Sequence, residues 1–388
     1  MTREFISGND ALAHGVRLAS PKVISAYPIT PQTTVVERLS EMAEDGSLDA
    51  EFIHVESEHS ALSCAIGASA AGVRTFTATS SQGLLYMAEC LPYAAGGRFP
   101  IVMMNANRSI ALPWNIYGDQ RDSLMLLDSG WIQAYVQDAQ EGLDLALMSY
   151  RIAEHPEVST PFMINMDGFH LTHTYEVVDV PDKESADRLI PPFRPVGCID
   201  PGSPQNIGFS AGPEHNVFFK YKAHCGMLRA RDVIKETEQA FSRIFGREYS
   251  GLTEGYRCED ADHVLITLGS ISGLCRGAAD AARAEGIRAG VLRIRYMRPF
   301  PAEETVAAVS GAKSIAVLEK DISFGGTGTV FANVGSALFS AGLNMRASNY
   351  IGGLGGRDIS IGDVRKIFSD MAAGKTGVRF IGIEEGPE

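Results

Sequence analysis

Cysteine is sparse and scattered in this 388-residue chain: there are six, and no two stand closer than the 17 positions between Cys258 and Cys275. That leaves no CxxC pair and no ligand spacing for zinc or an iron–sulfur cluster, so the thiols are expected to be mostly buried and free. Blocks of Lys or Arg are equally absent. With a net charge of -13, the surface offers nothing to a nucleic-acid backbone or an anionic membrane, although it suits a basic partner. No apolar run reaches the length of a membrane span. Residues 1–5 lack a signal-peptide core, and a cytoplasmic location is expected. Dinucleotide signatures are missing as well. Neither Gly325-Gly326-Thr327-Gly328 nor Gly352-Gly353-Leu354-Gly355-Gly356-Arg357-Asp358 spells GxGxxG or carries a P-loop lysine. Tight turns and packing between domains account for both runs better than anion-binding nests.

What remains has the balance of a globular protein, 45% hydrophobic and 21% charged, with enough chain for two or three domains. Short apolar runs at 22–26, 51–55, 74–79, 100–105 and 161–166 read as strands. Helical patterns at 8–19, 33–43, 57–71, 83–94 and 140–154 alternate with them. A second alternating block follows, with strands at 263–268, 289–294, 314–318 and 345–351, and helices at 272–285, 302–309, 330–340 and 361–371. Alternation of this kind predicts α/β architecture with two doubly wound parallel sheets, one domain over 1–250 and a smaller one over 251–388. Residues 181–230 are rich in Pro and Gly and read as an extended arm that covers a neighbour, followed by an amphipathic helix over 231–245. The helix at 57–71 consists almost wholly of small residues and is expected to be central and buried.

Ligands gather outside the carboxyl ends of strands in an open parallel sheet. Four distinctive loops stand at such ends: Tyr27-Pro28-Ile29-Thr30-Pro31-Gln32-Thr33, His54-Val55-Glu56-Ser57-Glu58-His59-Ser60, Thr79-Ser80-Ser81-Gln82-Gly83 and Asn105-Ala106-Asn107-Arg108. Glu58 begins a helix, where a carboxylate simply complements the helix dipole. The alternative is a buried acid that shares a proton with a ligand nitrogen. Arg108 is either a surface arginine or a fork for a substrate carboxylate. Thr30, between two prolines, is a rigid turn or a hydroxyl aimed at a carbonyl or carboxylate. His54, Glu56, Glu58 and His59 match no metal-binding spacing, and no metal is expected.

Taken together and in order, these segments resemble the α subunits of the 2-oxoacid:ferredoxin oxidoreductases, most closely the pyruvate:ferredoxin oxidoreductase (pyruvate synthase) members. Gly8-Asn9-Asp10-Ala11, Trp114-Asn115-Ile116, Asp167-Gly168-Phe169, His173, Arg298-Pro299-Phe300-Pro301 and the run from Gly352 to Asp358 extend the likeness over nearly the whole chain. The resemblance implies a pyrimidine-binding domain of the thiamine diphosphate type followed by a transketolase C-terminal-like domain. It also implies that Glu58 meets the aminopyrimidine nitrogen, that Pro28 lines its pocket, and that Thr30 and Arg108 hold the 2-oxoacid carboxylate. The reaction implied is reversible oxidative decarboxylation of pyruvate with coenzyme A to acetyl-CoA, CO2 and reduced ferredoxin or flavodoxin.

Thiamine enzymes hold the diphosphate and its Mg2+ through Gly-Asp-Gly and a later Asn. Gly118-Asp119-Gln120 is not that motif. The resemblance therefore implies half a cofactor site: a β subunit would supply the diphosphate half and a [4Fe-4S] cluster, a δ subunit further clusters and a γ subunit the remaining domain, as a dimer of heteromers. Oxalate-using relatives carry an arginine where this chain has Thr30, and a chain of this length favours pyruvate over 2-oxoglutarate. Branched-chain 2-oxoacids, 2-oxobutyrate and oxalate remain the alternatives to pyruvate. A nicotinamide dehydrogenase would require the missing fingerprint, and a degenerate scaffold would have lost Glu58 or Arg108.

Overall fold

Local signals place the helix boundaries closely. Ser7 and Asp10 form a reciprocal capping box at the start of helix Gly8–Ala19, and Ser360 with Asp363 does the same for helix Ile361–Ala372. The computed structural model describes residues 1–204, 206–208 and 210–383. Its strands are β1 (Thr2–Ser7), β2 (Val23–Ala26), β3 (Glu51–His54), β4 (Thr75–Thr79), β5 (Val102–Asn107), β6 (Ile132–Tyr135), β7 (Phe162–Asp167), β8 (Tyr175–Val180), β9 (Thr253–Tyr256), β10 (His263–Leu268), β11 (Ala289–Ile294), β12 (Tyr296–Arg298), β13 (Ser314–Glu319), β14 (Arg346–Ile351) and β15 (Gly377–Phe380).

The first sheet runs β12-β6-β7-β5-β4-β2-β3 and the second β15-β14-β13-β10-β11-β9, with β1 and β8 paired separately. Both large sheets are parallel apart from one antiparallel edge strand each, β12 in the first and β9 in the second. Strands β4 to β7 are buried along their whole length. That suits their largely apolar character, because helices cover both faces. Thr75, Thr77 and Gln133 are the polar residues nearer their starts, and toward the carboxyl ends the register sets Asn105 against Asn165 and Asn107 against Asp167.

Several expectations need correction. Residues 181–230 are not one extended arm. Asp182 caps a helix over Lys183–Leu189, and a 33-residue helix spans Pro213–Phe245. Pro213 starts that helix rather than breaking it, since its missing N–H falls where no intrahelical partner exists. Residues 83–94 divide into two short helices, Ser81–Tyr86 and Cys90–Gly96. The small-residue helix, Glu58–Ala70, is not wholly buried. Ser25 Oγ ties it to the sheet by donating to the Ala61 carbonyl at 2.7 Å, yet Ser63 and Gly67 are exposed. It packs on β2 and β4, while the edge strand β3 is largely exposed. All six cysteines are free, with Cys90 and Cys275 buried and the others half-buried.

The two halves are joined by charge as well as by β12. Arg293 and Arg295 bracket the Glu141 carboxylate, and Arg295 also donates to Glu238. All four side chains are buried. Burial pushes the Glu141 carboxyl up, but the two guanidiniums outweigh it and hold it below its ordinary value.

Candidate active site

The loop from Tyr27 to Gln32 is held from below. Gln32 Nε2 donates to the Tyr27 carbonyl at 2.9 Å and to the Ala78 carbonyl at 3.0 Å. Asn9 Nδ2 donates to the Pro31 carbonyl at 2.9 Å. These bonds leave Pro28 and Thr30 exposed on a braced turn. Arg108 leaves the end of β5 and is 6% exposed. Its Nη1 donates to the Thr30 carbonyl at 2.9 Å, and its Nε to the Asn115 carbonyl at 3.2 Å. The structure thus brings Thr30 and Arg108 together, through the threonine main chain. The Thr30 hydroxyl makes no bond among the described residues. Burial pushes the guanidinium below its ordinary pKa, while Asp122 pulls it back up.

Glu58 opens its helix behind the N-cap Ser57 and is 8% exposed. Its carboxylate makes no hydrogen bond or ion pair among the described residues. Gly83 makes room for it: a Cβ there would lie 2.6 Å from Glu58 Oε1 and 2.7 Å from Thr79 Oγ1. Thr79 Oγ1, which the same Cβ would touch, is buried without a partner, as are Oγ of its neighbour Ser80 and Oε1 of Gln32, whose Nε2 bonds the Ala78 carbonyl of the same strand. Buried polar groups are almost always hydrogen-bonded. A cluster of unpartnered ones around a nearly buried carboxylate therefore fits a polar ligand.

Asp122, which carried no signal in the sequence, joins the two sides. Its Oδ2 accepts from Ser81 N (3.1 Å), Arg108 N (3.1 Å) and Asn105 Nδ2 (3.2 Å). Its Oδ1 accepts from Asn107 Nδ2 and Ser123 N, both at 2.8 Å. Burial pushes the carboxyl up to about 6 against the pull of these donors; with all five partners donating N–H groups, both oxygens act as acceptors, as in a carboxylate.

The second domain closes over the loop that follows Arg108. Asn115 Nδ2 donates to the Gly355 carbonyl at 2.8 Å, and Gly355 N donates to Asp119 Oδ2 at 3.1 Å. A Cβ on Gly356 would fall 2.4 Å from Tyr117 Cβ. The Gly352–Asp358 run therefore serves domain packing, as its composition suggests. At the end of β7, Asp167 accepts from Gln120 Nε2, Lys320 Nζ (both 3.1 Å) and Ser270 N (3.2 Å). Burial raises its pKa, but Lys320 and Ser270 outweigh that and hold it below the usual carboxylate value. A cleft of about 540 Å³ lies here between the domains, lined by Tyr117, Phe169, Ser270, Lys320 and Arg357. His59, beside Glu58 in sequence, turns away to Glu89 at 3.6 Å.

Residues 14–239 match the family described as pyruvate flavodoxin/ferredoxin oxidoreductase, thiamine diphosphate-binding. Residues 261–364 match the pyruvate:ferredoxin oxidoreductase core domain II. The chain is 45% identical over 388 residues, all of both chains, to pyruvate synthase subunit PorA of Methanothermobacter thermautotrophicus. It is 43% identical over 370 residues, 95% of this chain and 93% of the relative, to ketoisovalerate oxidoreductase subunit VorA of Pyrococcus horikoshii. Among solved structures, the 2-oxoglutarate:ferredoxin oxidoreductase from Magnetococcus marinus, with 2-oxoglutarate, coenzyme A and succinyl-CoA bound, superposes with a TM-score of 0.74 at 20% identity. The match covers 95% of this chain and 65% of that one, which shows a shared fold. On these grounds the chain belongs to the pyruvate:ferredoxin oxidoreductase family, as a subunit of the PorA kind.

Proposed function

We propose that Pro28, Thr30, Glu58 and Arg108 form the aminopyrimidine and 2-oxoacid half of a thiamine diphosphate site. A β-type partner chain would complete it. The assembled enzyme would convert pyruvate and coenzyme A to acetyl-CoA and CO2, passing two electrons to ferredoxin or flavodoxin, reversibly. One observation carries this reading: a nearly buried Glu58 carboxylate without a partner, in a cradle that only glycine at position 83 leaves open. Thiamine diphosphate, when bound, supplies the nucleophilic carbon and the electron sink for decarboxylation. Glu58 would hold the proton shared with its ring nitrogen, and Pro28 would pack beside that ring. Arg108 spends Nη1 and Nε on two main-chain carbonyls, which fixes the plane of the guanidinium and leaves Nη2 to grip the 2-oxoacid carboxylate. The Thr30 hydroxyl would donate to the same group.

The diphosphate with its Mg2+ and the [4Fe-4S] clusters are assigned to partner chains of β, γ and δ type, two such units forming the particle. In support, no trio of His, Cys, Asp or Glu side chains suited to a metal occurs among the described residues. No helix among them is long and apolar enough to cross a membrane, and six free thiols suit the cytoplasm. Because a VorA relative is nearly as similar as the PorA relatives, a branched-chain 2-oxoacid is the second reading.

Anaerobic, coenzyme A-dependent viologen reduction by the natively purified complex tests both. The substrates compared are pyruvate, 2-oxobutyrate, 2-oxoisovalerate, 2-oxoglutarate and oxalate. A pyruvate preference is expected. Preference for 2-oxoisovalerate would keep the family and move the substrate, and no activity with any 2-oxoacid would sink the assignment.

A further inference from the structure

We infer that Asp122 is a positioning residue, which sets the distance between the carboxylate-gripping Arg108 and the wall that holds Glu58; this rests on the roles just given to those two residues. Asp122 is fully buried, and both its oxygens are taken up by protein N–H groups. Its five donors come from the start of helix Ser81–Tyr86, from β5, from the residue after β5, and from its own chain neighbour. Two of those donors decide the matter. Ser81 N belongs to the helix turn that carries Gly83, against which Glu58 packs. Arg108 N belongs to the residue that would hold the substrate. Both converge at 3.1 Å on the same oxygen, Oδ2, so a single atom connects the two sides of the site.

A second bond runs between the same two sides. Ser81 Oγ donates to the Ser109 carbonyl at 2.7 Å, clasping the residue after Arg108. Ser81 itself has φ of 49°, a left-handed conformation that a non-glycine residue keeps only when its surroundings hold it there. The Asp122 carboxylate, anchored by Asn105 and Asn107 beneath, holds its N–H, and the Ser109 carbonyl holds its hydroxyl.

Asp122→Asn is a mild perturbation of this joint. Asn107 Oδ1 is buried and unpartnered, so the Asn107 amide can turn over to accept from the new side-chain NH2. Ser123 N then loses its acceptor, and the turned Asn107 Nδ2 gives up its bonds to residue 122 and to Ser123 Oγ. The fold should survive, while the remaining oxygen holds Ser81 N and Arg108 N without a full negative charge. The guanidinium itself stays, and a negative charge that acts on it is gone. Carboxylate binding should accordingly be retained or tightened, while alignment for the reaction suffers. A misplacement of order 1 Å costs about 10²-fold in rate.

The test uses the native complex carrying Asp122→Asn, Arg108→Ala or neither. Three quantities are measured: kcat with the preferred 2-oxoacid, equilibrium binding of oxamate (a non-reacting isostere of pyruvate) by calorimetry, and thermal unfolding. For Asp122→Asn we expect kcat to fall about 30- to 100-fold per assembled complex, with the oxamate Kd within threefold of wild type or tighter. Unchanged kcat would overturn the inference. So would a tenfold loss of oxamate affinity. Arg108→Ala should weaken oxamate at least tenfold. If it does not, the assignment of Arg108 fails, a result distinct from failure at Asp122. If Asp122→Asn does not assemble, Asn107→Ala removes one Asp122 partner and keeps the charge. It should lower kcat about three- to tenfold with oxamate binding unchanged, and wild-type kcat would overturn the inference.

Discussion

Gly83→Ala is a sharp probe of the site because it touches Glu58 without removing any functional group. The backbone of residue 83 is helical, so alanine meets no conformational penalty there and contributes up to about 1 kcal/mol of helix propensity. The added methyl, however, would sit 2.6 Å from Glu58 Oε1 and 2.9 Å from Glu58 Cγ. Ordinary contact begins at 3.4 Å, so the carboxylate must retreat by about 0.8 Å on the scale of ordinary packing distances. Glu58 is a flexible side chain and can turn aside, at a cost of about 0.5–1.5 kcal/mol for leaving its rotamer well. Overpacking adds about 1–3 kcal/mol, partly offset by the propensity gain. The net loss of stability is then about 1–2 kcal/mol, a few degrees in Tm. Loss of alignment at the proposed proton-sharing group costs far more, about 10²-fold in kcat. The assay is viologen reduction by the native complex, alongside a thermal scan. Gly273→Ala, with nothing within 4 Å of the added methyl, is the control and should keep full activity. Near-wild-type turnover in Gly83→Ala would refute the packing argument and remove Glu58 from the reaction.

Further predictions follow from the same geometry. Glu58→Gln should abolish turnover while the complex stays assembled, as size-exclusion chromatography and activity together would show. Arg108→Ala should chiefly raise the KM for the 2-oxoacid, by about 10- to 100-fold for one lost charged hydrogen-bonding group; failure of subunit assembly instead would make its role structural. Glu141→Gln leaves Arg293 and Arg295 buried without their shared anion, and should cost about 3–5 kcal/mol, measured as a drop in the unfolding midpoint. Asp167 and Glu141 are both held below their ordinary pKa values. Their stabilisation is complete above about pH 4.5 and is lost as pH falls through the lowered values. Lys320→Met removes a cation that opposes burial at Asp167, so the acid-side fall in Tm should begin at higher pH; an unchanged profile would remove that ion pair from the account.

The strands that carry the site were legible because each is a short apolar run closed by turn chemistry. The loops after β2, β3, β4 and β5 consequently fell where a parallel sheet gathers ligands. Glu58 could be placed at a helix start from the apolar strand before it and the run of small residues after it, with Ser57 falling at the cap rather than inside the helix. Its lack of any partner could not be read, because that depends on β4 and helix Ser81–Tyr86 lying alongside. Arg293, inside the otherwise apolar β11, and Arg295, between β11 and β12, are legible as buried charges that require counter-ions, but which carboxylates answer them depends on the fold. The edge strands β9, β12 and β15 are short and weakly patterned. Their pairing is set by neighbours distant in sequence, beyond the reach of local periodicity.

From the order of its residues alone the chain determined its class, its helix caps and the set of loops that meet at the sheet ends, since caps, alternation and turn residues act within a few positions. Tertiary structure alone decided which groups share an atom. Asp122 Oδ2 joins Ser81 and Arg108, and Asp167 joins Ser270 and Lys320 across the domains. Such convergence depends on register and packing between segments up to 153 residues apart. A carboxylate's partners are fixed only when the sheets that carry them close together and exclude the water that would otherwise satisfy each one.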